Sequence, residues 1–116
     1  MNKMGLSVRV DLGSHRLGPG KVALLEAIAV DGSISAAARR MGMSYRRAWG
    51  LVENLNKAFG TPVVTTAAGG TRGGGTSLTP IGEEVVSRYR AIEQDAFRSA
   101  EAHLDALARH VSGRDS

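Results

Sequence analysis

Two helical patterns in this sequence are separated by a single tight turn, and that spacing constrains the fold more than any other feature. The first pattern is short, from Ser33 or Ser35 through Ala36-Ala37-Ala38 to Met41. A serine at its start can act as a cap, because its oxygen accepts from an unpaired first-turn N–H. Gly42 stops this helix, and Ser44 caps the next almost at once. The second pattern carries Ala48, Leu51, Val52, Leu55 and Phe59 on one stripe of helical period. Tyr45, Arg46, Arg47, Glu53, Asn54 and Lys57 lie largely on its other faces. Helices joined this closely must cross, and three alanines let them approach. The spacing predicts a helix-turn-helix whose second helix, residues 44–58, presents its N-terminal residues to base edges.

The flanking segments fill in the rest. Leu6, Val8, Val10 and Leu12 alternate with Ser7, Arg9 and Asp11, which predicts a strand over Leu6–Leu12 with one buried face. Gly13–Gly20 reads as a loop. A helix is expected from Pro19 to Asp31-Gly32, with Val22, Leu24, Leu25, Ile28 and Ala29 as its apolar set. Pro62–Ala67 is a short β-branched run, and Thr76–Leu78 can return as its partner. Between them Gly69–Gly75 holds five glycines in seven residues, a long loose hairpin tip. Thr79-Pro80 then opens a long helix reaching toward His110, roughly 45 Å at 1.5 Å per residue. The expected class is mainly α with a small β-wing: a winged helix-turn-helix over residues 1–79, then a long dimerisation helix and tail over 80–116.

Charge supports this division. Residues 1–79 hold ten Lys/Arg and four Asp/Glu, and residues 80–116 hold five and seven. No acidic residue occurs between Asp31 and Glu53, where Arg39, Arg40, Arg46 and Arg47 all fall. A basic body suits a polyanion such as double-stranded DNA. With no cysteine, a reducing compartment is expected, hence the cytoplasm. No apolar run is long enough for a membrane span, and a leader peptide is not expected.

The long helix carries Ile81, Val85, Tyr89, Ile92, Ala96, Ala100, His103 and Leu107 three or four apart. A helix longer than the body is wide cannot bury such a stripe alone, so a second copy is the expected partner.

Other motifs carry less. GGTRGGGT has a P-loop skeleton, but Gly75 stands where lysine would reach the phosphates. Gly18-Pro19-Gly20-Lys21-Val22-Ala23 fits a dinucleotide fingerprint but no second parallel strand follows. His103 and His110 are seven apart, not the four of a zinc-binding helix. No nucleophile–base set is present, so neither an enzyme nor a metal or other cofactor is expected. Trp49, the single tryptophan, has two readings, packing and a base contact.

The segments GSISAAARRMGMSYRRAW, NLN…F and VVTTAAGGTRGGGTSLTPIGEEVVSRYR resemble the N-terminal DNA-binding domain of ModE-type molybdate-responsive regulators. The helix-turn-helix is also similar to that of LysR-type regulators. The resemblance runs from residue 6 to about residue 95. It implies a winged-helix repressor or activator that binds a palindromic operator as a homodimer. It places Ser44, Tyr45, Arg46, Arg47 and Trp49 in the recognition region, and Thr71 and Arg72 at the wing. Ser35, at the start of the preceding helix, joins this DNA-binding set. The segment from Pro80 onward resembles the dimerising helix. Members of that family carry a C-terminal molybdate-binding module, and this sequence ends at Ser116, so no molybdate site is expected here. Two expectations stay open: a stand-alone regulator, or one that depends on a separate effector-sensing partner. The reading from another class is a dimeric helical adaptor whose basic face binds an acidic protein.

Overall fold

The computed structural model describes residues 4–67 and 75–112. The element order is β1 (Val10–Leu12), β2 (His15–Leu17), α1 (Pro19–Asp31), α2 (Ile34–Arg40), α3 (Tyr45–Phe59), β3 (Val64–Thr66), β4 (Thr76–Leu78) and α4 (Pro80–Ala108). The fold is the mainly helical winged helix-turn-helix that the pattern predicts, with the long C-terminal helix in place.

The N-terminal segment departs from expectation. The strand is confined to Val10–Leu12, and the expected loop contains a second strand. The two pair antiparallel, Val10 with Leu17 and Leu12 with His15. The connection is Gly13-Ser14, and Gly13 has φ 63°, a conformation that glycine adopts without a Cβ clash. Lys21 Nζ holds this hairpin against the body, donating to the Arg16 carbonyl at 2.7 Å and to Asn54 Oδ1 of α3 at 2.6 Å.

One apolar core joins α1, α2 and α3. Val22, Leu24, Leu25 and Ile28 of α1 are fully buried, as are Ala37 of α2 and Ala48, Val52 and Leu55 of α3. Ala29, expected with the apolar set of α1, is exposed. Among the described residues no polar or charged residue is buried. The core is therefore held by packing, and every ionised group stays within reach of water.

α4 enters the body over its first three turns. Thr79 Oγ1 accepts from Gly82 N at 3.1 Å as the helix cap, while its hydroxyl donates to the Pro62 carbonyl at 2.8 Å. Thr79 N donates to Val63 O at 3.0 Å. Gly82 lies against that same Val63 carbonyl so closely that any Cβ would strike it. Two turns further, Arg90 grips Glu26 of α1 through two hydrogen bonds of 2.6 and 3.0 Å, and also holds Glu93 at 2.7 Å. The hydrogen bonds from Arg90 hold the Glu26 carboxyl below its ordinary range, against the opposing effect of burial.

Two outcomes follow. Gly82→Ala forces backbone apart at the root of α4 and is expected to cost about 1–3 kcal/mol, seen as a lower urea midpoint. Glu26 has a lowered folded-state pKa. Its contribution is complete above the ordinary glutamate value near 4.3 and is lost as pH falls through the lowered one. Glu26→Gln is expected to flatten that part of the acid-denaturation curve.

Candidate nucleic-acid interface

The helix-turn-helix is assembled from backbone outward. Ser33, rather than Ser35, caps α2: its Oγ accepts from Ala36 N at 3.0 Å. At the other end Met41 N donates to Ala37 O and Met43 N to Ala38 O, both at 3.0 Å. Gly42 has φ 69°, which lets the chain reverse within two residues. Ser44 Oγ then accepts from Arg47 N at 3.0 Å and starts α3. Ala37 and Ala38 are buried where the helices meet, so small side chains permit the close crossing.

This fixes which face of α3 looks outward. Ala48, Val52 and Leu55 point into the core. At 100° per residue, Arg46, Gly50 and Lys57 lie on the opposite side, and all three are exposed. Arg47 is exposed on one flank. Tyr45 and Trp49 share the other flank, one turn apart, and are 57% and 40% exposed. A dent of about 370 Å³ opens beside them, lined also by Ser35, Ile34, Thr66 and Thr76. The wing strands border this dent: Thr66 pairs with Thr76, and Thr76 N donates to Gly32 O at 2.9 Å, tying β4 to the α1–α2 turn. Ser35, Tyr45 and Trp49 are therefore brought together, and Arg46 and Arg47 lie on adjoining faces. Ser44 is exposed, and its Oγ accepts in the cap while its hydroxyl proton stays available to donate. Thr71 and Arg72 lie outside the described residues. Sequence reasoning missed Thr66 and Thr76; the hairpin alternation, extended to its cross-strand register, would have found them.

The four arginines of this stretch are not equivalent. Arg40 forms a two-pronged pair with Asp31, at 2.6 and 2.9 Å. The same pair holds the Asp31 carboxyl below its usual range. Among the described residues Arg39, Arg46 and Arg47 make no ion pair. The N-terminal half of α3 thus presents unneutralised guanidinium groups, five donors each, to whatever lies outside.

The expected partner stripe on α4 divides in two. Val85 and Tyr89 belong to the chain's own core: both are buried, α4 packs against α1, and the Tyr89 hydroxyl donates to the Val8 carbonyl at 2.6 Å. They are corrected from interface to core residues. Ile81, Ile92, His103 and Leu107 are exposed, and Ala96 and Ala100 are half-buried. Phe97, which lies off the expected stripe, is also exposed. An apolar groove of about 310 Å³ runs between hairpin and helix, lined by Val10, Leu12, Phe59, Ile81 and Ile92 among others. Among the described residues no group of His, Cys, Asp or Glu could hold a metal ion, and no helix is long and apolar enough to cross a membrane.

A capped helix pair across a glycine turn, flanked by a two-stranded wing, defines the winged helix-turn-helix class of DNA-binding domains. The chain belongs to the lysR family of bacterial regulatory helix-turn-helix proteins, whose family model matches residues 20–83. That family is one of regulators rather than enzymes. The chain is 54% identical over 78 residues to the molybdenum-pterin-binding protein MopB of Rhodobacter capsulatus, covering 67% of this chain and 29% of that protein. It is 38% identical over 110 residues to the molybdenum transport protein ModE of Azotobacter vinelandii, covering 95% of this chain and 40% of that protein. The chain therefore spans less than half the length of these relatives. Among solved structures, the DNA-binding domain of CbnR in complex with DNA superposes with a TM-score of 0.59. That match is 24% identical in sequence and covers 76% of this chain and 95% of that one.

Two substitutions probe the recognition helix without DNA. Ser44→Ala removes the cap and is expected to lower stability by about 1 kcal/mol. Gly50 sits in mid-helix with nothing within 4 Å of where a Cβ would stand. Gly50→Ala is therefore expected to raise stability by up to about 1 kcal/mol, read from thermal or urea unfolding.

Proposed function

We propose that the chain controls transcription as a homodimer bound to a palindromic site in double-stranded DNA. In this reading α3 enters the major groove, with Arg46 and Arg47 reading bases or phosphates. Tyr45, Ser35 and Trp49 lie on the flank toward the wing, and Thr71 and Arg72 are further contacts to the duplex. The observation that carries the reading is the outer face of α3: exposed, free of acids over its first two turns, and bearing two arginines that make no ion pair among the described residues. Ile81, Ile92, Ala96, Ala100, His103 and Leu107 of α4, with the groove beside them, supply the face for the second copy. A two-fold pair of such heads calls for a site with the same symmetry.

In vitro selection from random duplexes, run with and without added molybdate, tests both site and effector. The expected product is one inverted repeat, bound less tightly as salt rises because phosphate contacts release counterions. Arg47→Ala is expected to cost about 1–3 kcal/mol of binding and to relax sequence preference if that side chain reads a base. Failure to enrich any sequence at moderate salt would favour the adaptor reading, in which the basic face binds an acidic protein. Sedimentation of the free chain checks the dimer: a monomer at micromolar concentration removes α4 as its interface.

A further inference from the structure

We propose that the Trp49 indole, backed by Tyr45, reads the C5-methyl group of a thymine in the major groove. This deepens the DNA-binding reading and rests on it.

The argument starts from an imbalance in burial. Ala48 and Val52, Trp49's neighbours on α3, are completely buried, yet Trp49 keeps 40% of its surface exposed. Were its role to weld the wing to α3, closure over the indole would be expected, since burying so large an apolar surface is favourable. Among the described residues a dent instead remains beside the indole, with Tyr45, Trp49 and Ile34 in its lining. The hydroxyl-bearing residues Ser33, Ser35, Thr66 and Thr76, with Gly32 and Gly75, complete the lining. An apolar surface is thus held open on the recognition helix, one turn past its cap and beside the outward-facing Arg46.

The chemistry of the occupant follows. Among the four bases only thymine displays a methyl group in the major groove. An indole offers a broad apolar face and a single N–H donor with no acceptor. It is therefore ill-suited to the two-point hydrogen bonds that identify guanine or adenine, and well-suited to a methyl. Arg46 and Arg47 supply the hydrogen-bonding part of the same helix.

The test uses the full chain and the duplex obtained by selection. Each thymine is replaced singly by deoxyuridine, which removes the methyl and nothing else, and binding is followed by fluorescence anisotropy of the labelled duplex. One thymine in each half-site is expected to lose about fourfold in affinity, the equivalent of about 0.8 kcal/mol for a buried methyl-sized group. That sensitivity should vanish in Trp49→Ala while the other positions keep theirs. Because Trp49 is the only tryptophan in the chain, its own emission gives a second readout in the unmutated protein. The emission change on binding should be smaller with deoxyuridine at that position than with thymine. Deoxyuridine that is tolerated everywhere, or penalties equal in the parent and Trp49→Ala, overturns the proposal and leaves the DNA reading standing. No selective binding to any duplex overturns both.

Discussion

The position of everything beyond α3 depends on the joint around Thr79. Val63 is tied to α3 through its N–H, which donates to Asn56 Oδ1 at 2.8 Å. The Val63 carbonyl then accepts from Thr79 N, and Gly82 closes on the same carbonyl. A continuous run of hydrogen bonds thus leads from the recognition helix, through the wing's first residues, into the cap of α4. These hydrogen bonds couple the direction of the long helix to that of α3. Arg90 and Glu26 reinforce the angle from the other side, by fastening α4 to α1.

The body supplies rigidity and the outer faces supply chemistry. Its core is apolar throughout the described residues, so no internal ion pair needs to be preserved or broken when something binds. Pairing Arg40 with Asp31 removes one cation from the outer surface and the nearest acid with it. What remains at the start of α3 is a small set of guanidinium groups beside two aromatic rings. That is a surface able to distinguish neighbours by both charge and shape.

Much of this was legible in the sequence. Ser44, Gly42 and the Ala36–Ala38 run dictate the helix pair through capping, turn geometry and side-chain size, all local effects. Thr79-Pro80 marks the start of α4 for the same reason. What escaped was non-local or short. Gly13-Ser14 is a sound two-residue hairpin signal, but each strand has only three residues, too few for alternation to register. Tyr89 and Val85 escaped as well: periodicity shows that a helix face is apolar but not whether it is buried in the chain's own core. The open dent beside Trp49 was illegible for a related reason, since it is framed by Thr66 and Thr76 from a wing distant in sequence.

The stiffness of the Thr79 joint has a geometric consequence. α4 has 29 residues and extends about 43 Å from that joint. Over such an arm a tilt of about 5° displaces the far end by about 4 Å, close to the rise of one base pair. In a dimer built on this arm, the helix acts as a ruler between the two reading heads. A joint this firmly tied would make the ruler intolerant: a site with one extra base pair at its centre would fall out of phase for one head or the other.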